Sequence, residues 1–274
     1  MIQQLHCAPR GRVIVVEQIR AVGLLMRTAG VLLLALYAIL ALVAINTAFR
    51  VRAANQALGR LAHLVDYAYA PQMTMLLLLL PFLIPLLVWQ EEYPTRRLYH
   101  LSMPVSQATH AMSKTVAGWF WMMAAVAMFL IGLVAVHAFT RRVTGLPQPY
   151  HIGFAWWEWI IPFTSVTIAY VFVSAATVGA RRPIVWIFGT LAIYAGVVAF
   201  LLQGGRDARD IGRGLRHAAT GYYGAFAAVG GSIDSSTTTF ELSLTHWLGA
   251  SAIWGAIGFA LFAFAARRRA EPLS

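Results

Sequence analysis

The sequence predicts an all-α integral membrane protein with six transmembrane helices. Three observations carry that prediction. Hydrophobic residues make up 59% of the 274 residues and charged residues 11%, against about 45–50% and about 25% in soluble domains. Mean hydropathy is +0.68. The apolar residues fall into six runs, each near the length of about 20 that a helix needs to cross the hydrocarbon core. The net charge is +11, from 21 basic and 10 acidic side chains. These charges sit between and beside the runs, as charges flanking membrane spans do. A nucleic-acid surface gathers its basic residues on one soluble face, so no nucleic-acid partner is expected.

The elements follow in order. Residues 1–10 read as a short polar lead containing the only cysteine, Cys7. One cysteine excludes an internal disulfide and a thiolate metal cluster. In residues 10–28, Val15, Ile19, Val22 and Met26 recur on one helical face, and Arg12, Glu17, Arg20 and Arg27 interrupt it. That pattern predicts an amphipathic entry helix lying in the membrane interface, with a simple extension of the first span as the alternative. The first span is expected at 29–49, closed by Arg50 and Arg52. It begins too late, and is too long, for the roughly 7–15-residue core of a secretory signal. The second span is expected at 72–89 and contains Pro81 and Pro85, which should kink or break it. The third lies at 115–139, the fourth at 154–180 behind the belt Trp156, Trp157 and Trp159, and the fifth at 184–203. Arg181, Arg182 and Pro183 make a tight connection between the last two. Residues 204–244 read as a long outer loop, and the sixth span covers 245–266 before Arg267, Arg268 and Arg269. The whole chain reads as a single helical membrane domain.

The chemistry is sparse. No G-x-x-x-x-G-K-[ST] phosphate loop occurs, so the chain does not bind ATP by that device. Gly249-Ala250-Ser251-Ala252 resembles in part the G-x-S-G motif of rhomboid proteases. The fourth residue is alanine, though, and no histidine follows His246. A serine without a base is not an activated nucleophile. Ser251, Ala252, Gly255 and Ala256 instead read as a small-residue face for close helix packing. No histidine pair has metal-ligand spacing on one helix, so no metal site is expected. Glu158, beside an apolar span, is a candidate functional carboxylate, although its place among the tryptophans also suits simple hydration.

The polar stretch 91–114, EEYPTRRLYHLSMPVSQATHAMSK, is the segment around which the rest is organised. Leu98, Leu101 and Val105 fall at i, i+3 and i+7, one face of a helix beginning near Thr95 and ending near Ser102 or Met103. Glu91, Glu92, Arg96 and Arg97 frame that face. The stretch resembles the cytoplasmic loop between spans two and three of ABC-2-type transporter permeases. That loop runs from an acidic start through a Gly-Thr step and leucines to Pro-Val-Ser and a lysine opening span three. Here Glu91 and Glu92, Thr95, Leu98 and Leu101, Pro104-Val105-Ser106 and Lys114 match it, with Pro94 in place of the usual glycine. The resemblance implies a coupling helix that docks a separate nucleotide-binding ATPase, which would bind the ATP and magnesium. It also implies a second permease subunit, identical or related, contact with membrane lipids, residence in a bacterial inner membrane, and a role in export. The rival readings are a non-transporting scaffold or assembly factor that recruits an ATPase, and an intramembrane enzyme.

With both termini cytoplasmic, the inner segments carry twelve of the basic residues and the outer segments nine, the direction that the positive-inside rule requires. In a Cys7→Ser background on intact cells, an impermeant thiol reagent should therefore label Ser235→Cys and leave Ser106→Cys protected. The reverse pattern would invert the topology.

Overall fold

In hydrocarbon every backbone N–H and C=O must be satisfied within the chain, and a helix does this within one segment. The computed structural model describes residues 11–58, 70–90, 106–144, 160–180, 182–219 and 244–270, and among these the chain is helical with no strand. The helices are α1 (Gly11–Leu58), α2 (Ala70–Gln90), α3 (Gln107–Thr144), α4 (Ile161–Gly179), α5 (Pro183–Gln203), α6 (Arg206–Ala219) and α7 (Leu244–Ala270). Five stretches are long and apolar enough to cross a membrane: Val15–Val43, Ala108–Gly132, Ile161–Gly179, Pro183–Gln203 and Trp247–Arg268. In α2 the apolar stretch Leu79–Trp89 is shorter.

The helix α4 sits at the centre, packed against α2, α3, α5 and α7. Its buried residues include Ser165, Val166, Ile168, Ala169, Tyr170, Val171, Val173 and Ser174, which surround the helix instead of lining one stripe. That is the pattern of a helix enclosed by others. By contrast, α2 buries a single stripe of Leu77, Leu80, Pro81, Ile84, Pro85, Val88 and Trp89. Both prolines are fully buried in it, and the helix runs through them unbroken.

Directions follow from paired contacts. The Trp121 indole N–H donates to the Ile19 carbonyl at 2.9 Å. Tyr37 meets Phe129 edge-on at 6.0 Å, and Phe49 meets Phe139 at 6.4 Å. These pairs ascend together, so α1 and α3 run parallel. Phe172 against Trp254 and Gly179 against Ala265 make α4 and α7 parallel in the same way. Tyr170 to Thr115 and Thr167 to Trp119 make α3 and α4 antiparallel.

Two expectations change. Residues 11–28 do not form a separate interfacial helix, because α1 is unbroken from Gly11 to Leu58. The face named above is real, with Val22 and Met26 in the core and Ile19 packed against it, but it docks on α3. Glu17, Arg20 and Arg27 are exposed. The physical reason is that one apolar stripe suits a membrane surface and a neighbouring helix equally well, and no breaker stands between Thr28 and Ala29. The second change concerns 204–244, whose charged first part is not loop but α6. A Gly204-Gly205 turn folds α6 back along α5. The Gly204 N–H donates to Leu201 O, and a Cβ at Gly204 would lie 2.8 Å from the Ala208 Cβ. Gly212 is buried, and a Cβ there would meet the Leu201 Cβ at 3.0 Å. The Tyr194 hydroxyl donates to the Leu215 carbonyl at 2.7 Å.

A short step joins α4 to α5 where the connection is expected, with Ala180 extended and Pro183 opening α5, while Arg181 lies outside the described residues. Proline suits that position because its missing N–H has no helical partner there. The fourth span is helical only from Ile161 within the described residues. Trp156, Trp157, Glu158 and Trp159 lie outside them.

The tightest approach tests the packing. The Tyr170 ring fills the space where Gly118 lacks a side chain, with Val88 beside it. Gly118→Ala should cost about 1–3 kcal/mol by overpacking, read as reduced resistance to unfolding in mild detergent. Tyr170→Phe should cost only about 0.5–1 kcal/mol, the scale of one interhelical hydrogen bond in a membrane protein. The double variant should recover part of the Gly118→Ala loss, because the nearest clashing atom is the hydroxyl it removes. Strict additivity would show that this contact is not the constraint.

Candidate partner-contact site

The described part of the site is the end of α2 and the start of α3, which bracket the polar segment in sequence. Ser106 caps α3. Its Oγ accepts the Thr109 backbone N–H at 3.2 Å and pairs with the Thr109 hydroxyl at 2.7 Å, while its carbonyl accepts the His110 N–H at 3.0 Å. Serine suits this position because its oxygen satisfies one of the donors that a helix N-terminus leaves unpaired. The helix therefore starts eight residues before the expected third span, and Lys114 lies inside it rather than opening it.

Lys114 is 9% exposed, and its Nζ lies 5.1 Å from the centre of the Trp89 ring. A cation over an indole face is attracted by the ring's electrostatic quadrupole. Trp89 is itself buried in the last turn of α2. The only lysine of the chain thus clamps the two helix ends together. One residue further on, the Thr115 carbonyl accepts the buried Tyr170 hydroxyl of α4 at 2.8 Å. Above it the Trp119 indole donates to Thr167 at 3.0 Å. The junction is thereby tied to the central helix as well as closed on itself.

The remaining site residues divide as follows. Glu91, Glu92, Thr95, Arg96, Arg97, Leu98, Leu101 and Val105 lie outside the described residues, as does Glu158. Of the small-residue face, Ser251 is buried, Ala252 and Ala256 are exposed, and Gly255 faces open space. The close approach of α4 and α7 is made instead by Gly258, whose added Cβ would meet the Phe172 ring at 3.2 Å, and by Gly179 against Ala265. The Ser251 hydroxyl has no hydrogen-bond partner among the described residues. Among those residues no three His, Cys, Asp or Glu side chains come together. Sequence reading missed Trp89, Gly118, Thr115, Tyr170 and Gly258. The available signals were an aromatic closing a span and a glycine within an apolar helix, and both are too common to single out a site.

Compared with known protein families, characterised proteins and solved structures, the chain matches none.

The clamp depends on charge. Lys114→Met keeps length and apolarity but removes the cation, and should cost about 1 kcal/mol of stability in detergent. Lys114→Arg should retain most of the interaction. In a Trp89→Leu background Lys114→Met should have little further effect. An equal loss in both backgrounds would show that the pair is not coupled.

Proposed function

We propose that this chain is the membrane-spanning permease subunit of an ATP-driven ABC transporter of the ABC-2 type, acting as an exporter. The observation that carries the reading is the junction just described. In sequence, a polar segment rich in charge and leucine joins two helix ends that Lys114 and Trp89 hold together, and Tyr170 joins that base to the core. A surface meant to receive force from a soluble partner needs such a rigid footing.

The helix directions support six spans. Because α1 and α3 run parallel, the chain must return across the membrane between them. The only described helix between them is α2, which the proposal makes the second span. By the same logic α5 returns the chain between the parallel α4 and α7. Six crossings put both termini on one side, the cytoplasm by the arginine distribution, with 91–114 beside them and the start of α6 outside. The location is a bacterial inner membrane.

The partner supplies what the sequence lacks. With no phosphate loop, ATP and magnesium belong to a separate ATPase subunit that docks on a coupling helix within 91–105. A second permease subunit completes the translocation path. Nucleotide binding biases two rigid packings of the helices by binding one of them better.

The test is Leu98→Asp combined with Leu101→Asp. Burying two unpaired carboxylates in a docking groove is strongly unfavourable, so the variant should insert normally and lose the copurifying ATPase, or leave its hydrolysis uncoupled from transport. Unchanged partner recovery together with unchanged transport would overturn the proposal. An ATPase that binds without any substrate-dependent hydrolysis in lipid would point instead to a scaffold.

A further inference from the structure

The parallel helices α4 and α7 meet in layers seven residues apart. A Cβ added at Gly179 would lie 2.9 Å from the Ala265 Cβ, and one added at Gly258 would lie 3.2 Å from the Phe172 ring. Both pairs are 86 positions apart in sequence. On each helix seven residues make about two turns, which returns to nearly the same face. Seven residues before Phe172 stands Ser165, and seven before Gly258 stands Ser251. The same register therefore sets Ser165 opposite Ser251 in the next layer of the seam.

Both serines are buried, Ser165 at 0% and Ser251 at 9% exposure. Neither hydroxyl has a hydrogen-bond partner among the described residues. The common local remedy in a helix is a bond to the carbonyl one turn back. Thr164 uses it toward Ile160 and Thr190 toward Trp186, but Ser165 and Ser251 do not, and they do not bond each other directly. Two buried hydroxyls that face each other without a direct bond are the setting in which water bridges. A buried water needs at least two polar partners and room. The serine layer offers both, because two small side chains stand where the adjacent layer holds the Phe172 ring. Trp247, buried on the same face one turn before Ser251, stands between this layer and the start of α7.

We propose that Ser165 and Ser251 hold one buried water molecule between α4 and α7, hydrogen-bonded to both hydroxyls. Each hydroxyl has one proton to donate and two lone pairs to accept with, so a single water satisfies the pair. The bridge ties the two helices at a layer that no large side chain interlocks. It does not rest on the transporter reading.

Unfolding of the full chain by SDS, added to protein in mild detergent, tests the bridge. Ser165→Ala and Ser251→Ala should each raise the unfolded fraction about three- to tenfold at a fixed SDS concentration, because each strands the other hydroxyl. The double variant should be no less stable than either single one, since removing both partners leaves nothing unpaired. Ser174, also buried, lies nine residues from Ser165 and so on the opposite side of α4. The effects of Ser174→Ala and Ser251→Ala should therefore add. Ser251→Asn adds a side-chain group about the size of one water and should be at least as stable as Ser251→Ala, its amide taking the place of the bridge. Single alanine variants as stable as the parent or more so would show that no bridge joins the hydroxyls, and strictly additive losses would show that they act apart. A Ser251→Asn variant less stable than Ser251→Ala would show that the layer has no room for water. Each of these results would overturn the proposal.

Discussion

Among the described residues Tyr170 is the largest side chain buried completely, and its hydroxyl donates to the Thr115 carbonyl. In hydrocarbon an unsatisfied hydroxyl is costly, so this bond fixes where α4 can stand against α3. The ring then needs room, which Gly118 provides by having no side chain. Val88 of α2 closes the same space. One buried phenol therefore sets the spacing of three helices, and the apolar contacts of Val126, Val166 and Met122 fill the space that this spacing leaves.

The solvent explains the rest of the surface. Leu24, Leu32, Leu42, Ile131, Trp186, Phe188, Ile193, Phe200, Ile253 and Phe259 are all strongly exposed. In water that much bare apolar surface would drive association. Against lipid tails it costs nothing, and helices must find other reasons to pack: small residues, interhelical hydrogen bonds and shape. That is the distribution observed. Glycines at 23, 118, 132, 179 and 258 face partner side chains closely, whereas Gly30, Gly189, Gly196 and Gly255 face open space.

The parts legible in the sequence were those with a local signal. Apolar runs located the membrane-crossing helices, because length and hydropathy are properties of a segment alone. The face of Val22 and Met26 followed from periodicity, and the α4–α5 connection from Arg181-Arg182-Pro183. What was illegible depended on partners. Nothing at Thr28 says whether the stripe before it meets a headgroup or α3. The helix α6 escaped because the side it turns to α5 is built from Ala208 and Gly212, which carry almost no hydropathy, while its arginines dominate any window. The Tyr170–Thr115 bond joins residues 55 positions apart, and no local pattern reports such a pairing. At the candidate site, Lys114 and Ser106 were visible as parts of a motif. Their physical roles, a clamp on Trp89 and a helix cap, needed the three-dimensional arrangement.

The same contacts bear on how force would travel under the proposed function. A partner that moves 91–105 pulls on Gln90 and Ser106, the ends of two helices. Because Lys114 ties α3 to Trp89, those ends move as one body rather than splaying. The next residue, Thr115, holds Tyr170, so the displacement enters α4 near its middle. A well-packed interior does not deform continuously, and α4 must either stay or shift as a rigid unit. If it shifts, Phe172 against Trp254 and Gly179 against Ala265 carry α7 with it. The hairpin of α5 and α6 is joined to α4 through the short step at Arg182 and follows as a second body. By this path a push applied at 91–105 would reach the α5–α6 hairpin through α4.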